Sequence, residues 1–243
     1  MKAPARSGGG ASDRLVLVAH GTRDPEGQAV LETVRELVAL RLPRVDVRLA
    51  HVDVVRPRLD EVLVRVPDAI VVPLFLGAGY HVRTDVPRAV AATGGRARVT
   101  PLVGSSPVLL RAVAHRLDRA GPLPEAIVLA AAGSRDSRAV DQVRSAATGL
   151  HRLLGRPVVA GFAATGSPAV GDAVRGLREA GARSVGVASY LLAPGVFQRR
   201  LQGTGADLVS APIGAHPLLV DLVVDRFRAG QGWVDDHLVP EVA

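Results

Sequence analysis

The sequence predicts an α/β protein of two similar half-domains, each a small parallel sheet flanked by helices, with a cleft between them. Three observations carry that expectation. The strand-like runs are unbroken stretches of Val, Leu, Ile and Ala, as in "RLVLVA" (14–19) and "AIVLAAA" (126–132), which marks strands buried on both faces. Helix-like runs alternate with them, the order that builds parallel sheets. The whole series then occurs a second time.

Each element follows in turn. "RLVLVA" is the first strand, and residues 25–42 form an amphipathic helix opened by Pro25, which suits a first helical turn. "VDVRLAHV" (45–52) is the second strand, before the helical "RPRLDEVLVRV" (56–66). "DAIVVPLFL" (68–76) is the third, and a Gly-rich loop leads from it into a short helix from about Thr84. "ARVTPLV" (97–103) then precedes the helical "SPVLLRAVAHRLDRA" (106–120). The second pass opens with Gly133-Ser134-Arg135-Asp136, which matches Gly21-Thr22-Arg23-Asp24 at an offset of 112. "RPVVAGFAATGSPAV" (156–170) repeats the second strand region and aligns Pro168 with Pro57. "SVGVASYLLAPGVFQRRL" (184–201) and "SAPIGAHPLLVDLVVDRF" (210–227) repeat the third and fourth regions. The Gly and prolines of "AGPLP" (120–124) suit a linker. The expected plan is a flexible leader over 1–12, a half over 13–120 that carries the site, a degenerate half over 125–229, and a tail over 230–243.

Composition narrows the chemistry. The 243 residues are 48% apolar but only 3% aromatic, so the core must be made of Val, Leu and Ala. There is no cysteine, which excludes disulfides, thiolate metal sites and a cysteine-held iron–sulfur cluster within this chain. The start of the chain has basic residues but no apolar run, so it reads as a leader and not as a signal peptide. No stretch is apolar for long enough to span a membrane. A soluble, cytoplasmic protein is the simplest expectation. The net charge is +7, and Lys2 is the only lysine. The arginines form no stripe and stacking aromatics are scarce, which disfavours nucleic acid. Guanidinium groups also pair bidentately with carboxylates, so a polyanionic small molecule fits the same excess.

The repeat gives the histidines their meaning. His20 corresponds to Ala132, and His81 falls near Val196 or Phe197, so the second half keeps the scaffold without either imidazole. In a parallel sheet His20 ends the first strand, Asp53 ends the second and His81 lies in the loop after the third. All three then meet beyond the carboxyl edge, where open α/β folds place their ligands. Two imidazoles and a carboxylate suit Co²⁺, Fe²⁺ or Ni²⁺. Asp53 has a second reading, as the N-cap of the helix that follows. His51 is expected to be a packed or paired side chain.

"VLVAHGTRDP" (16–25) together with "VVPLFLGAGYHVRTDVP" (71–87) resembles the CbiX/SirB-type sirohydrochlorin chelatases, class II chelatases, and "PIGAHPLL" (212–219) resembles their closing motif. The resemblance spans essentially the whole chain, in the form with two fused chelatase-like halves. It implies insertion of a divalent metal, Co²⁺ or Fe²⁺ with Ni²⁺ a third candidate, into a polycarboxylate tetrapyrrole, for cobalamin or sirohaem. His20 and His81 match the catalytic, metal-binding histidines. Asp53 stands where the family usually has glutamate, one methylene longer. Arg23, Arg83, Arg56, Arg135 and Arg199, with Gly79 and Tyr80, become the candidates for holding the ring. The metal is a substrate, and no nucleotide, iron–sulfur cluster, nucleic acid or membrane is implied. A monomer is expected, with a homodimer as the alternative, because fused halves would bury the face through which a single half would pair.

Two other readings share some of these residues. "HGTR" resembles the His-Gly-x-Arg of histidine phosphatases, but Ala19 stands where they place a phosphate-holding arginine. A non-catalytic carrier of metal or tetrapyrrole would keep the same ligands, and only turnover separates it from an enzyme.

Overall fold

The computed structural model describes residues 12–232. The first half contains β1 (Arg14–Ala19), α1 (Pro25–Arg41), β2 (Asp46–His51), α2 (Leu59–Arg65), β3 (Ile70–Pro73), α3 (Val86–Ala91), β4 (Arg98–Val99) and α4 (Pro107–Asp118). The second repeats that order with β5 (Ala126–Gly133), α5 (Ser137–Leu154), β6 (Val158–Thr165), α6 (Val170–Glu179), β7 (Val185–Ser189), α7 (Val196–Leu201), β8 (Leu208–Val209) and α8 (Pro217–Gln231). The strands form two sheets, β2-β1-β3-β4 and β6-β5-β7-β8, with every pairing parallel. The two-half α/β architecture read from the sequence is the observed one.

Both faces of each sheet are buried, which accounts for the unbroken apolar strands. Leu15, Leu17 and Ala19 of β1 point into a core shared by both sheets, whereas Val16 and Val18 face an outer layer with α2 and α3. Ile127, Leu129 and Ala131 of β5 enter the same shared core, and Val128 and Ala130 face α6. The inner layer is made by exchange. α1 lies over β2, but β3 beside it is covered by α8 of the second half. α5 lies over β6, and β7 is covered by α4 of the first half. The halves that repeat in sequence are therefore not separate packing units.

Some boundaries differ from expectation for local reasons. The third strand stops at Pro73, which has no N–H to donate, and the Leu74 N–H, bonded to the Val18 carbonyl at 2.8 Å, carries the pairing with β1 one step further. The helix expected from Thr84 begins instead as a π-helical turn over His81–Asp85 and continues as α3, with Pro87 in its first turn. α8 runs through Gly230 to Gln231, where the tail was expected to start, because Gly230 packs tightly on Ile70 and Thr100. Ser12 is also buried, and its carbonyl accepts a hydrogen bond from the Gln231 side chain at 2.8 Å. The rest of the expected leader and tail, residues 1–11 and 233–243, lies outside the described residues. No helix among the described residues is long and apolar enough to cross a membrane.

One polar pair lies within the exchanged helices. His216 caps α8 by accepting the Leu218 N–H at Nδ1, 3.1 Å away, so its own proton sits on Nε2 and is donated to His115 Nδ1 of α4 at 2.8 Å. The cap bond requires a neutral His216, because a protonated Nδ1 cannot accept. Burial, and after it the nearby Arg116 charge, holds its pKa below the ordinary histidine value. The unfolded chain gains this proton near pH 6.5 and the folded chain only at lower pH, so the stability is full above about pH 6.5 and is lost as the pH falls through it. His51, depressed chiefly by burial, adds to the same loss. Melting temperature should therefore stay level from about pH 8 to 7 and fall below about 6.5. His216→Asn keeps a helix cap and should make that acid decline shallower; an unchanged slope would clear His216 of the effect.

Candidate metal centre

His20 follows β1 at the carboxyl edge of the sheet. Gly21 then takes φ +98°, and a Cβ there would lie 2.3 Å from the Asp53 carbonyl oxygen, so only glycine lets the two loops meet. The ladder continues past β2 as the Asp53 N–H donates to the His20 carbonyl at 3.0 Å. Asp53 is thus held beside His20 by backbone. It caps no helix, because the residue at the N-terminus of α2 is Arg58. Its carboxylate instead accepts the Val54 N–H at 2.8 Å, and Val54 adopts φ +69°. A β-branched residue in that region costs roughly 1–3 kcal/mol, strain of the kind that accompanies functional loops. The Val54 N–H holds the Asp53 carboxyl below its ordinary pKa, aided by His20, Arg58 and His81. Asp53 is an anion at neutral pH.

His81 arrives on the π-helical turn after β3. Its loop is fastened to the other half, where the Gln142 side chain accepts the Ala78 N–H at 2.7 Å. The imidazole stands edge-on to His20, with ring centroids 4.7 Å apart at 89°. Its Nδ1 lies 2.6 Å from Asp85 Oδ2, and Arg88 holds the other Asp85 oxygen at 2.9 Å. With the proton of His81 on Nδ1, its Nε2 lone pair is free to bind a metal. One donor atom from each of His20, Asp53 and His81 lies within 4.8 Å of the other two. Asp85 escaped the sequence reading, although its spacing of four from His81 on a helical segment was a usable signal.

The cluster opens on two chambers between the halves, and His20 lines both. One, of about 460 Å³, is bounded by Gly79, Tyr80, His81, Arg135 and Asp136. The other, of about 550 Å³, is bounded by Thr22, Arg23, Leu191, Pro194 and Phe197. Four of the seven residues put forward for holding the ring line these chambers, Gly79, Tyr80 and Arg135 the first and Arg23 the second, while Arg83 stands beside the first and pairs with its lining residue Asp136. Arg199 of α7 reaches the second rim and pairs with Asp24 at 2.6 Å. Arg56 does not reach either chamber. It pairs with Glu61 and borders a separate surface hollow beside Pro57.

Two parallel α/β halves thus present to a shared cleft one group of two histidines and a carboxylate that could hold a metal ion. The CbiX family model matches residues 14–120 and again 126–229, and the chain belongs to the CbiX family. A sirohydrochlorin cobaltochelatase of Sulfolobus acidocaldarius is 27% identical over 90 residues, covering 35% of this chain and 72% of that protein. Among solved structures, SirB from Bacillus subtilis with Fe³⁺ superposes with a TM-score of 0.74 at 22% identity, covering 90% of this chain and 95% of that one. CbiX, the terminal enzyme for biosynthesis of sirohaem in denitrifying bacteria, superposes with a TM-score of 0.66 at 25% identity, covering 89% and 98%.

Two predictions follow from the local geometry. Asp85→Ala frees the His81 ring to turn and should weaken Co²⁺ binding by about 10- to 100-fold, as losses behind a metal ligand do; unchanged affinity in a Co²⁺ absorption titration would show that Asp85 orients nothing. Gly133, the counterpart of Gly21, takes φ +99° against Thr165. Gly21→Ala and Gly133→Ala should each cost more than about 1 kcal/mol of stability, measured by denaturant unfolding, but only Gly21→Ala should also weaken Co²⁺ binding.

Proposed function

We propose that this chain inserts a divalent metal ion, Co²⁺ or Fe²⁺, into sirohydrochlorin. The observation that carries this reading is the His20–Asp53–His81 donor cluster, placed at the junction of two cleft chambers whose rims carry Arg23, Arg83, Arg135 and Arg199. The name of the relative from Sulfolobus acidocaldarius, a sirohydrochlorin cobaltochelatase, supports the same substrate.

The reaction exchanges one divalent ion for two pyrrole N–H protons. The ion has to be relieved of water yet remain easy to surrender, and three protein donors do this better than a closed set of four. Imidazole and carboxylate accept both cobalt and iron, so the donor set suits either ion. As the ion passes to the ring nitrogens, the imidazole that releases it becomes free to take up a pyrrole proton. Asp53, already an anion, offsets the charge of the ion while it waits. Tyr80 and Phe197 are large exposed apolar groups on opposite chambers, suited to lie against the face of a flat macrocycle. The rim arginines then meet its carboxylates.

Initial rates with purified protein, sirohydrochlorin and each of Co²⁺, Fe²⁺ and Ni²⁺ test the reading, and absence of turnover with all three would overturn it in favour of a carrier. His20→Ala and His81→Ala should each abolish insertion with little change in melting temperature, because Ala132 occupies the position equivalent to His20. Asp53→Asn should bind metal more weakly and recover part of its rate at higher Co²⁺, since both imidazoles remain. The KM for sirohydrochlorin should rise with salt, because exposed charges are screened over about 8 Å at physiological ionic strength.

A further inference from the structure

The rim of the cleft is built twice. Beside the His81 chamber, an Arg83 guanidinium nitrogen lies 3.3 Å from Asp136 Oδ2, while Asp136 Oδ1 accepts the Arg138 N–H and caps α5. Beside the other chamber, Arg199 Nη1 lies 2.6 Å from Asp24 Oδ2, while Asp24 Oδ1 accepts the N–H groups of Glu26 and Gly27 and caps α1. Asp24 and Asp136 are counterparts, 112 residues apart. Each gives one oxygen to its own helix and the other to an arginine of the opposite half. Directly before each stands an exposed arginine, Arg23 or Arg135, with no ion pair among the described residues. Every chamber therefore carries one free guanidinium next to one that is occupied by an internal carboxylate.

We propose that Asp24 and Asp136 are stand-in carboxylates, which hold Arg199 and Arg83 in the ligand-free protein and yield them to the carboxylates of the tetrapyrrole as it enters. The inference rests on the function proposed above and adds a selection step to it. The aspartate side chains are 12% and 18% exposed, whereas Arg199 and Arg83 are 64% and 46% exposed, so an incoming anion reaches the arginines first. Releasing the arginine leaves the other aspartate oxygen on its helix, so the exchange breaks no cap. Arg23 and Arg135 supply the first contacts, and the latched arginines complete them bidentately. A ligand with carboxylates along a single edge can release only one latch. A ring carboxylated on opposite edges releases both, which favours the polycarboxylate substrate over less acidic tetrapyrroles.

The test uses Asp24→Asn, Asp136→Asn and the double variant of the full chain. Asparagine caps a helix as well as aspartate does, but its amide now faces the guanidinium with an N–H group. Titration with metal-free sirohydrochlorin should show binding tighter by about threefold in each single variant and about tenfold in the double, as removal of an internal competitor requires. With protoporphyrin IX, whose two carboxylates share one edge, the double variant should gain no more than the better single. Unchanged or weaker sirohydrochlorin binding in the variants, with wild type binding normally, would overturn the exchange and leave the aspartates as helix caps. Equal double-variant gains for both rings would overturn the selection. If wild type binds no sirohydrochlorin, the proposed function fails and this inference fails with it. Asp24→Ser and Asp136→Ser, which also retain a cap, repeat the comparison should an asparagine variant fold poorly.

Discussion

Each sheet leaves its inner face half covered by its own half of the chain, and the arrangement of the molecule depends on how that gap is filled. α1 shields β2 and α5 shields β6, and the remaining strands β3 and β7 receive α8 and α4 from across the molecule. Apolar surface left facing water is costly in proportion to its area, so the two sheets are bound to one another through a shared core that contains Leu17 of one and Leu129 of the other. The carboxyl edges of both sheets then face a common cleft at a fixed separation. The cluster of two imidazoles and a carboxylate belongs to one edge, but the loop that delivers His81 is held by Gln142 of the other half. A single half would present neither a covered sheet nor a supported His81.

Backbone conformation does most of the work of assembling the donors. Gly21 permits the close approach of the first two loops, the left-handed Val54 turns an N–H onto the Asp53 carboxylate, and the π-helical turn brings His81 round to face His20. Such turns are costly to keep, and π-helical segments occur often at functional sites. The second half preserves the conformations whose role is structural. Gly133 keeps its positive φ, Asp136 still caps its helix, and both halves carry a cis X-Pro bond, at Arg56-Pro57 and Ser167-Pro168. What it lacks is the donor chemistry, with Ala132 in place of His20 and apolar Val196 and Phe197 near the position of His81.

Much of this was legible in the sequence because the signals are local. Continuous apolar runs, Pro25 at a helix start and the duplicated Gly-x-Arg-Asp turn report backbone behaviour directly, and the end of the first strand and the loop after the third place His20 and His81 with little further information. Asp53 was placed correctly near the histidines, yet its alternative as a helix cap could be set aside only with coordinates, because the helix starts at Leu59 and not directly after it. The exchange of α4 and α8 left no local trace, since an amphipathic helix does not record which sheet it will cover. Arg56 was misplaced for a related reason: its position next to the second loop is right, but the turn at Pro57 aims the side chain at Glu61. The pairing of Arg83 with Asp136 and of Arg199 with Asp24 joins residues 53 and 175 positions apart, which no pattern within one half can reveal.

The exchanged helices also change what the connection at 120–124 is for. In a protein of two self-contained domains, a linker is the tether that sets how often the parts meet. Here α4 is already committed to the second sheet before the chain reaches that connection, and the first sheet waits for α8, the last helix described. Cutting the backbone between the repeats would leave two fragments clasped by reciprocal arms, each holding a piece of the other's interior. The segment behaves less as a hinge than as a relic of covalent joining, and its main contribution is to raise the effective concentration of partners that geometry already makes inseparable.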